Sequence, residues 1–259
     1  VVQTKFDPLL IVLNDGLARQ AYPVSHTWLS KVLIKLEDIS ELHILTNFSQ
    51  IPRYFTQTSL NLTQTDYQVI AAINETWQLS HWTLRQTACT VYLMALAVQR
   101  PSEFKAWLLK LLSSANLQEL TAIYQGLALL PEPVSFIAQA KEGVRSNISA
   151  LFNAVALNNP YPACYFETDS WNQLILKAIF IESDLQAIIG LEQRANPELS
   201  RMLLDYACER YAANRPITKV LWRLAGLGAD QAVAQRLQSL AETDKPLLQQ
   251  GAKSALAAK

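Results

Sequence analysis

The chain has 259 residues, half of them hydrophobic, and its 22 Lys and Arg balance 22 Asp and Glu to a formal charge of zero. That length suits one large domain or two smaller ones with an ample core, and the balance, without a basic stripe, argues against a nucleic-acid partner. Three widely spaced cysteines, Cys89, Cys164 and Cys208, with no CxxC, argue against a disulfide framework and suit a reducing cytoplasm.

In chain order, apolar residues recur at three and four positions, and prolines punctuate the runs at roughly helix-hairpin intervals. The pattern predicts helices over 6–21, 26–45, 48–57, 65–79, 81–99, 102–114, 117–130, 133–142, 147–157, 170–183, 185–195, 197–213, 217–227, 230–242 and 245–257. "QTACTVYLMALAV", Gln86 to Val98, is the most apolar of these runs. It is too short for a membrane span and reads as a buried core helix, so no integral membrane segment is expected. Helix starts are marked by Thr65 with Gln68, Asn116 with Glu119, Ser170 with Gln173, and Asn196 before Pro197. Trp171, Leu174, Ile175, Ala178 and Ile179 form one apolar stripe; Leu199, Met202, Leu203, Tyr206 and Arg210 form another with a polar end. On that second helix Arg201 and Asp205 stand at an attractive four-residue spacing. Arg210, if buried, would need Asp205 or Glu182 as partner. No window alternates with period two, so no sheet is expected. The expectation is an all-α fold of stacked antiparallel helix pairs, either a HEAT-like α-solenoid or a compact helical-repeat domain, as a single domain over 1–259, with 230–259 as capping helices.

Signatures of catalysis or cofactor binding are missing from the sequence. His26, His43 and His81 are far apart; there is no HExxH, zinc-spaced Cys/His pair, nucleophile elbow, P-loop or Asp-rich magnesium cluster. "GLGADQ", Gly226 to Gln231, lacks the third glycine and the preceding strand of a dinucleotide site. No catalytic residue, metal or cofactor is therefore expected, and an enzyme is the less favoured class.

Polar and aromatic residues gather between Tyr124 and Phe180. Gly143 reads as a helix end and Ser146 as the cap of the next helix, which would set Arg145 and Asn147 beside exposed amides able to hold a carboxylate. The plainer alternative has Glu142 and Arg145 pair with neighbours and leaves Asn147 on backbone groups. "NNPYPACYF", Asn158 to Phe166, carries two prolines that push the preceding residues, Asn159 and Tyr161, towards extended geometry. Its Tyr161, Tyr165 and Phe166 either plug the space between two repeats or line an apolar groove. Candidate ligand-binding residues are Tyr124, Gln125, Arg145, Asn147, Asn159, Tyr161, Tyr165, Trp171 and Asn172, although Trp171 also begins a core stripe.

"YQGLALLPEP", "EGVRSNISALFNAVALNNPYPACYF", "WNQLILKAIF" and "RANPELSRMLLDYACERYAANR" resemble the EboA-domain family over about Tyr124 to Trp222. This is a bacterial family, well represented in cyanobacteria, of metabolite traffic proteins. The resemblance implies a place in a small gene cluster, beside membrane prenyltransferase-like and metal-hydrolase-like products. It also implies a part in moving a secondary-metabolite precursor out of the cytoplasm, as in synthesis of the indole–phenol sunscreen scytonemin. It carries over no catalytic residue. Three functions are thus in play: a non-enzymatic cytoplasmic factor that binds an aromatic small molecule or a protein from the same cluster, a helical scaffold for those proteins, and an enzyme on an aromatic or isoprenoid substrate.

Overall fold

A computed structural model describes residues 3–77 and 79–257. The part of the expected 65–79 helix at Gln78 and the last two residues of the expected 230–259 cap lie outside the described residues. Among the described residues the fold is all-α. Its helices are α1 (Gln3–Gln20), α2 (Pro23–Leu33), α3 (Glu41–Tyr54), α4 (Gln64–Ile73), α5 (Leu84–Gln99), α6 (Phe104–Ser114), α7 (Leu117–Gly126) and α8 (Ile137–Arg145). There follow α9 (Ser149–Ala156), α10 (Tyr161–Tyr165), α11 (Thr168–Phe180), α12 (Pro197–Ala212), α13 (Lys219–Leu227), α14 (Gln231–Ala241) and α15 (Pro246–Leu256). Among the described residues the one β-type contact is an isolated antiparallel bridge between Ser59 and Thr83. None of the described helices is long and apolar enough to cross a membrane.

The chain packs as two compact units, Val1–Tyr165 and Phe166–Lys259. In the first, α5 is the hub. Twelve of its residues are buried, from Leu84 to Ala97, which matches the expectation of a buried core helix. Helices α1, α2, α3, α6 and α7 all pack on it. A serial solenoid would have each helix meet only its neighbours, so this unit follows the compact alternative. In the second unit, α12 packs on α11, α13, α14 and α15, and α13 packs on α15.

Local signals succeed where their partners are close in sequence. Asn116 accepts hydrogen bonds from the Gln118 and Glu119 amides, and the Glu119 carboxylate accepts one from the Asn116 amide. Asn196 caps α12 with Pro197 in its first turn. Elsewhere the chain corrects the expectation. α4 begins at Gln64, capped by Thr63 with Asp66 rather than by Thr65 with Gln68. α11 begins at Thr168, so Ser170 is already helical and donates to Glu167 instead of capping. The expected 26–45 helix breaks over 34–40, because the end of α5 takes the backbone of that segment. Gln99 receives the Glu37 amide and donates to the Leu33 carbonyl at 2.7 Å, while Arg100 reaches the Ile39 carbonyl. The expected 185–195 helix is only a 3-10 turn over Leu185–Ala187, and Gly190 takes a left-handed φ of 78°.

Candidate functional site

Gly143 does not end a helix. It lies inside α8, where a Cβ would stand 2.7 Å from Val155 on α9 and 3.2 Å from the Tyr124 ring, so a side chain is excluded by close packing. α8 instead ends at Arg145. Ser146 accepts a hydrogen bond from the Ile148 amide, yet α9 starts only at Ser149, with Ile148 as an unassisted cap. Arg145 pairs with Glu142 at 2.6 Å in full exposure, and Asn147 is exposed beside it. The plainer reading of this pair is the observed one.

The proline-tyrosine stretch is a tight corner built on one amide. After α9, Asn158 turns left-handed at φ 52°, a conformation asparagine tolerates. Asn159, 3% exposed, then donates to the Tyr124 carbonyl at 3.1 Å and the Ala154 carbonyl at 2.9 Å, and accepts from the Tyr161 amide at 3.0 Å. Its carboxamide therefore ties the end of α7 and the end of α9 to the start of α10. Tyr161 is not extended. With its amide held by Asn159 it opens α10 and sets Pro162 in the first turn, where proline is tolerated. The Tyr161 ring is wholly buried; its hydroxyl donates to the Pro133 carbonyl, and its centroid lies 4.9 Å from that of Tyr165. Burial pushes the Tyr161 and Tyr165 phenols above their usual range, and the Tyr124 phenol likewise, with Glu142 adding to it. Tyr161 and Tyr124 are buried at the corner, and Tyr165 is half-buried beside them.

Beside the corner lies a cavity of about 220 Å³. His81 and Trp82 form one wall, Ala150 and Asn153 of α9 another, with Gln125, Asn158 and Asn159 between. The lining holds no Asp, Glu, Lys or Arg. Two backbone bonds set Trp82 in place: its carbonyl accepts from Leu60 at 2.8 Å beside the Ser59–Thr83 bridge, and its amide donates to Leu79. The orientation of Gln125 follows from a relay. The Thr83 amide donates to the Gln86 side-chain oxygen at 2.8 Å, which turns the Gln86 NH2 outward. That NH2 donates to the Gln125 oxygen, so the Gln125 NH2 is left for the cavity. The side chains of His81, Trp82 and Asn158 spend no hydrogen bond on the described protein. Asn159, fully satisfied within the fold, only walls the space. Trp77, Leu129 and Pro160 continue the same surface in a narrow cleft sharing Trp82, Gln125 and Asn158.

Of the nine candidates from sequence, then, Gln125 and Asn159 line this cavity, Tyr124, Tyr161 and Tyr165 frame its support, and Arg145 and Asn147 stand apart on α8 and its end. Trp171 and Asn172 belong to the second unit. Trp171 is fully buried with the Arg194 guanidinium 4.7 Å above its ring. Asn172 exchanges hydrogen bonds with Asn196, at 3.3 and 2.9 Å, and so steadies the cap of α12. Sequence reasoning missed His81, Trp82, Asn153 and Asn158. The capping pair Thr83 and Gln86 was the signal that could have pointed to them.

The second unit has its own cleft of about 370 Å³, between the ends of α11 and α12 and the start of α13. Arg210 faces it and is neither buried in the stripe nor paired with Asp205 or Glu182; its Nε donates to the Pro216 carbonyl at 3.0 Å. Asp205 bonds Arg236 instead, and Arg201 bonds Glu198 and Asp230.

Cys89 is buried within α5, and desolvation, with Glu119 adding to it, pushes its thiol far above the ordinary range. Among the described residues no group of three or more His, Cys, Asp or Glu could hold a metal ion. No curated protein and no solved structure matches the chain. A family model described as "Metabolite traffic protein EboA" matches residues 10–226, through both compact units up to α13. The chain belongs to the EboA family of metabolite traffic proteins.

Proposed function

We propose that this protein is a non-enzymatic binding component of metabolite traffic, acting in the cytoplasm, and that the cavity of the first unit takes a neutral aromatic molecule bearing a hydrogen-bonding substituent. The observation that carries the reading is the union of an uncharged lining with unspent polar groups on His81, Trp82, Gln125 and Asn158. A charged ligand would enter without a counter-ion, which burial penalises. A flat ring with a phenol, carbonyl or indole N–H matches both the aromatic wall and the amides. A cavity of about 150 Å³ already admits benzene, so this space suffices for one ring system. The lining holds mainly groups that orient: there is no Ser, Cys, Lys or carboxylate among them, and His81 is its one side chain able to act as a base or nucleophile. A traffic role asks for reversible capture, and that is what such a lining supports.

The test is a fluorescence titration of the full chain with indole and with 4-hydroxybenzaldehyde. A saturable change is expected, lost in Ala150→Leu, which fills the cavity from an exposed position of α9. No saturable change in either titration, or one that Ala150→Leu leaves intact, would remove the cavity from the account.

A second reading, a scaffold for proteins of the same cluster, is favoured by one feature. Tyr22, Val24, Ile34 and Leu42, around α2 and the start of α3, are exposed by 70% or more. It predicts capture of a cluster protein that Ile34→Asp abolishes and Ala150→Leu does not.

A further inference from the structure

We propose that the cleft of the second unit is a separate small-molecule site, and that it takes a zwitterionic, amino-acid-like ligand with an apolar side chain. Its volume, about 370 Å³, falls within the range of small-molecule sites. Ile179, Leu185, Ile217 and Leu221 give it an apolar floor, and Tyr206 an aromatic flank.

Two turns of one design shape the cleft. At the end of α11 the Ser183 amide donates to the Ala178 carbonyl at 2.9 Å, and the Glu182 amide to Ile179. At the end of α12 the Arg215 amide donates to the Arg210 carbonyl at 2.8 Å, and the Asn214 amide to Tyr211. Both are Schellman closures, and both need a left-handed residue. Asn214, at φ 53°, suits that demand, whereas Glu182, at φ 58°, does not. A glycine would serve the turn better, so the turn alone does not explain a glutamate.

The charges explain it. The Glu182 carboxylate makes no hydrogen bond or ion pair with the described protein. Asp184 gives one carboxylate oxygen to the Gln186 amide at 3.0 Å and keeps the other. Arg210 spends Nε on Pro216 and stacks 5.8 Å from the Tyr206 centroid, leaving its terminal nitrogens unspent. Opposite charges thus face one cleft without pairing with each other. An anion alone would meet two carboxylates, and a cation alone would meet the guanidinium. A neutral apolar molecule would use none of these charges. A ligand with a carboxylate for Arg210, an ammonium for Glu182 and Asp184, and an apolar body for the floor satisfies the whole lining.

Isothermal titration of the full chain tests this with L-tryptophan, tryptamine, which lacks the carboxylate, and indole-3-propionate, which lacks the ammonium. L-Tryptophan is expected to bind at least about tenfold more tightly than either analogue. Arg210→Gln should erase its advantage over tryptamine. Glu182→Gly, which relaxes the turn while deleting one of the two carboxylates, should reduce its advantage over indole-3-propionate. Ala150→Leu should leave all three affinities unchanged, which separates this site from the first-unit cavity. Equal binding of the three ligands, absence of L-tryptophan binding, or a ranking untouched by Arg210→Gln and Glu182→Gly would overturn the proposal.

Discussion

Replacing Asn159 with alanine is the most informative perturbation of the corner that supports the cavity. Its carboxamide makes three buried hydrogen bonds, at 2.9, 3.0 and 3.1 Å. The two carbonyls it serves, Tyr124 and Ala154, lie in the last turns of α7 and α9, where helices run out of internal donors. The Tyr161 amide opens α10 and has the same problem at the other end. A lost bond costs about 1 kcal/mol net, and each buried group left unpaired adds about 1–3 kcal/mol if no water replaces the amide. Partial relaxation into the adjoining cavity should limit the sum to about 3–5 kcal/mol. At about 2–4 °C per kcal/mol for a chain of this size, Tm should fall by about 6–20 °C. Urea unfolding followed by far-UV circular dichroism reads the free energy directly. Asn159→Asp is a useful companion. It keeps an acceptor for Tyr161 but faces two carbonyls with a carboxylate, so burial and the missing donors should raise its pKa. Stability gained from the protonated form is lost as pH rises through that pKa, so this variant should be less impaired at pH 4 than at pH 7, relative to wild type. An Asn159→Ala loss below about 1 kcal/mol would refute the reasoning that this amide holds the three helices together.

Other outcomes follow from the same contacts. Asp66 is desolvated, which alone would raise its carboxyl, but the hydrogen bonds from Thr63 and the charge of Arg19 hold it below the ordinary value of 3.8. Its contribution is therefore complete above the unfolded pKa and lost as pH falls through the folded one. The gap between wild type and Asp66→Asn, about 1 kcal/mol at pH 7 because Arg19 is 42% exposed, should close between pH 5 and pH 2 in acid-unfolding curves. Gly251→Ala would gain about 1 kcal/mol of helix propensity, but its Cβ would lie 2.0 Å from the Trp222 ring. Thermal melts should show net destabilisation of about 1–3 kcal/mol. Arg145→Ala removes only an exposed ion pair and should change stability by less than about 0.5 kcal/mol in the same melts.

The contrast between what the sequence displays and what it hides is one of range. The Asn116–Glu119 and Asn196–Pro197 starts are written within four residues, and α5 announces its burial by its long apolar run. The break at 34–40 depends on Gln99 and Arg100, more than 60 residues away, and no local pattern records it. Gly143 misled for a related reason: a glycine can mean a left-handed turn or a close approach, and only the position of Tyr124 and Val155 decides. At Tyr161 the general preference before proline gave way to the Asn159 bond that starts α10. Gln125 and Asn159 were drawn from an amide-rich stretch, but the rest of their cavity comes from His81 and Trp82, some 40 residues earlier than Gln125, brought in by the Ser59–Thr83 bridge. Periodicity describes which face of a helix is buried; it does not describe which two faces leave a gap.

The most direct measurement of the central claim is a nitrogen-15 NMR titration of the side-chain resonances with 4-hydroxybenzaldehyde. The account predicts that the Gln125 and Asn158 carboxamides and the Trp82 indole N–H shift together and saturate with one affinity, while Ala150→Leu abolishes the shifts. Side-chain signals that stay fixed at saturating ligand, or shifts that appear only in residues after Tyr165, would contradict it.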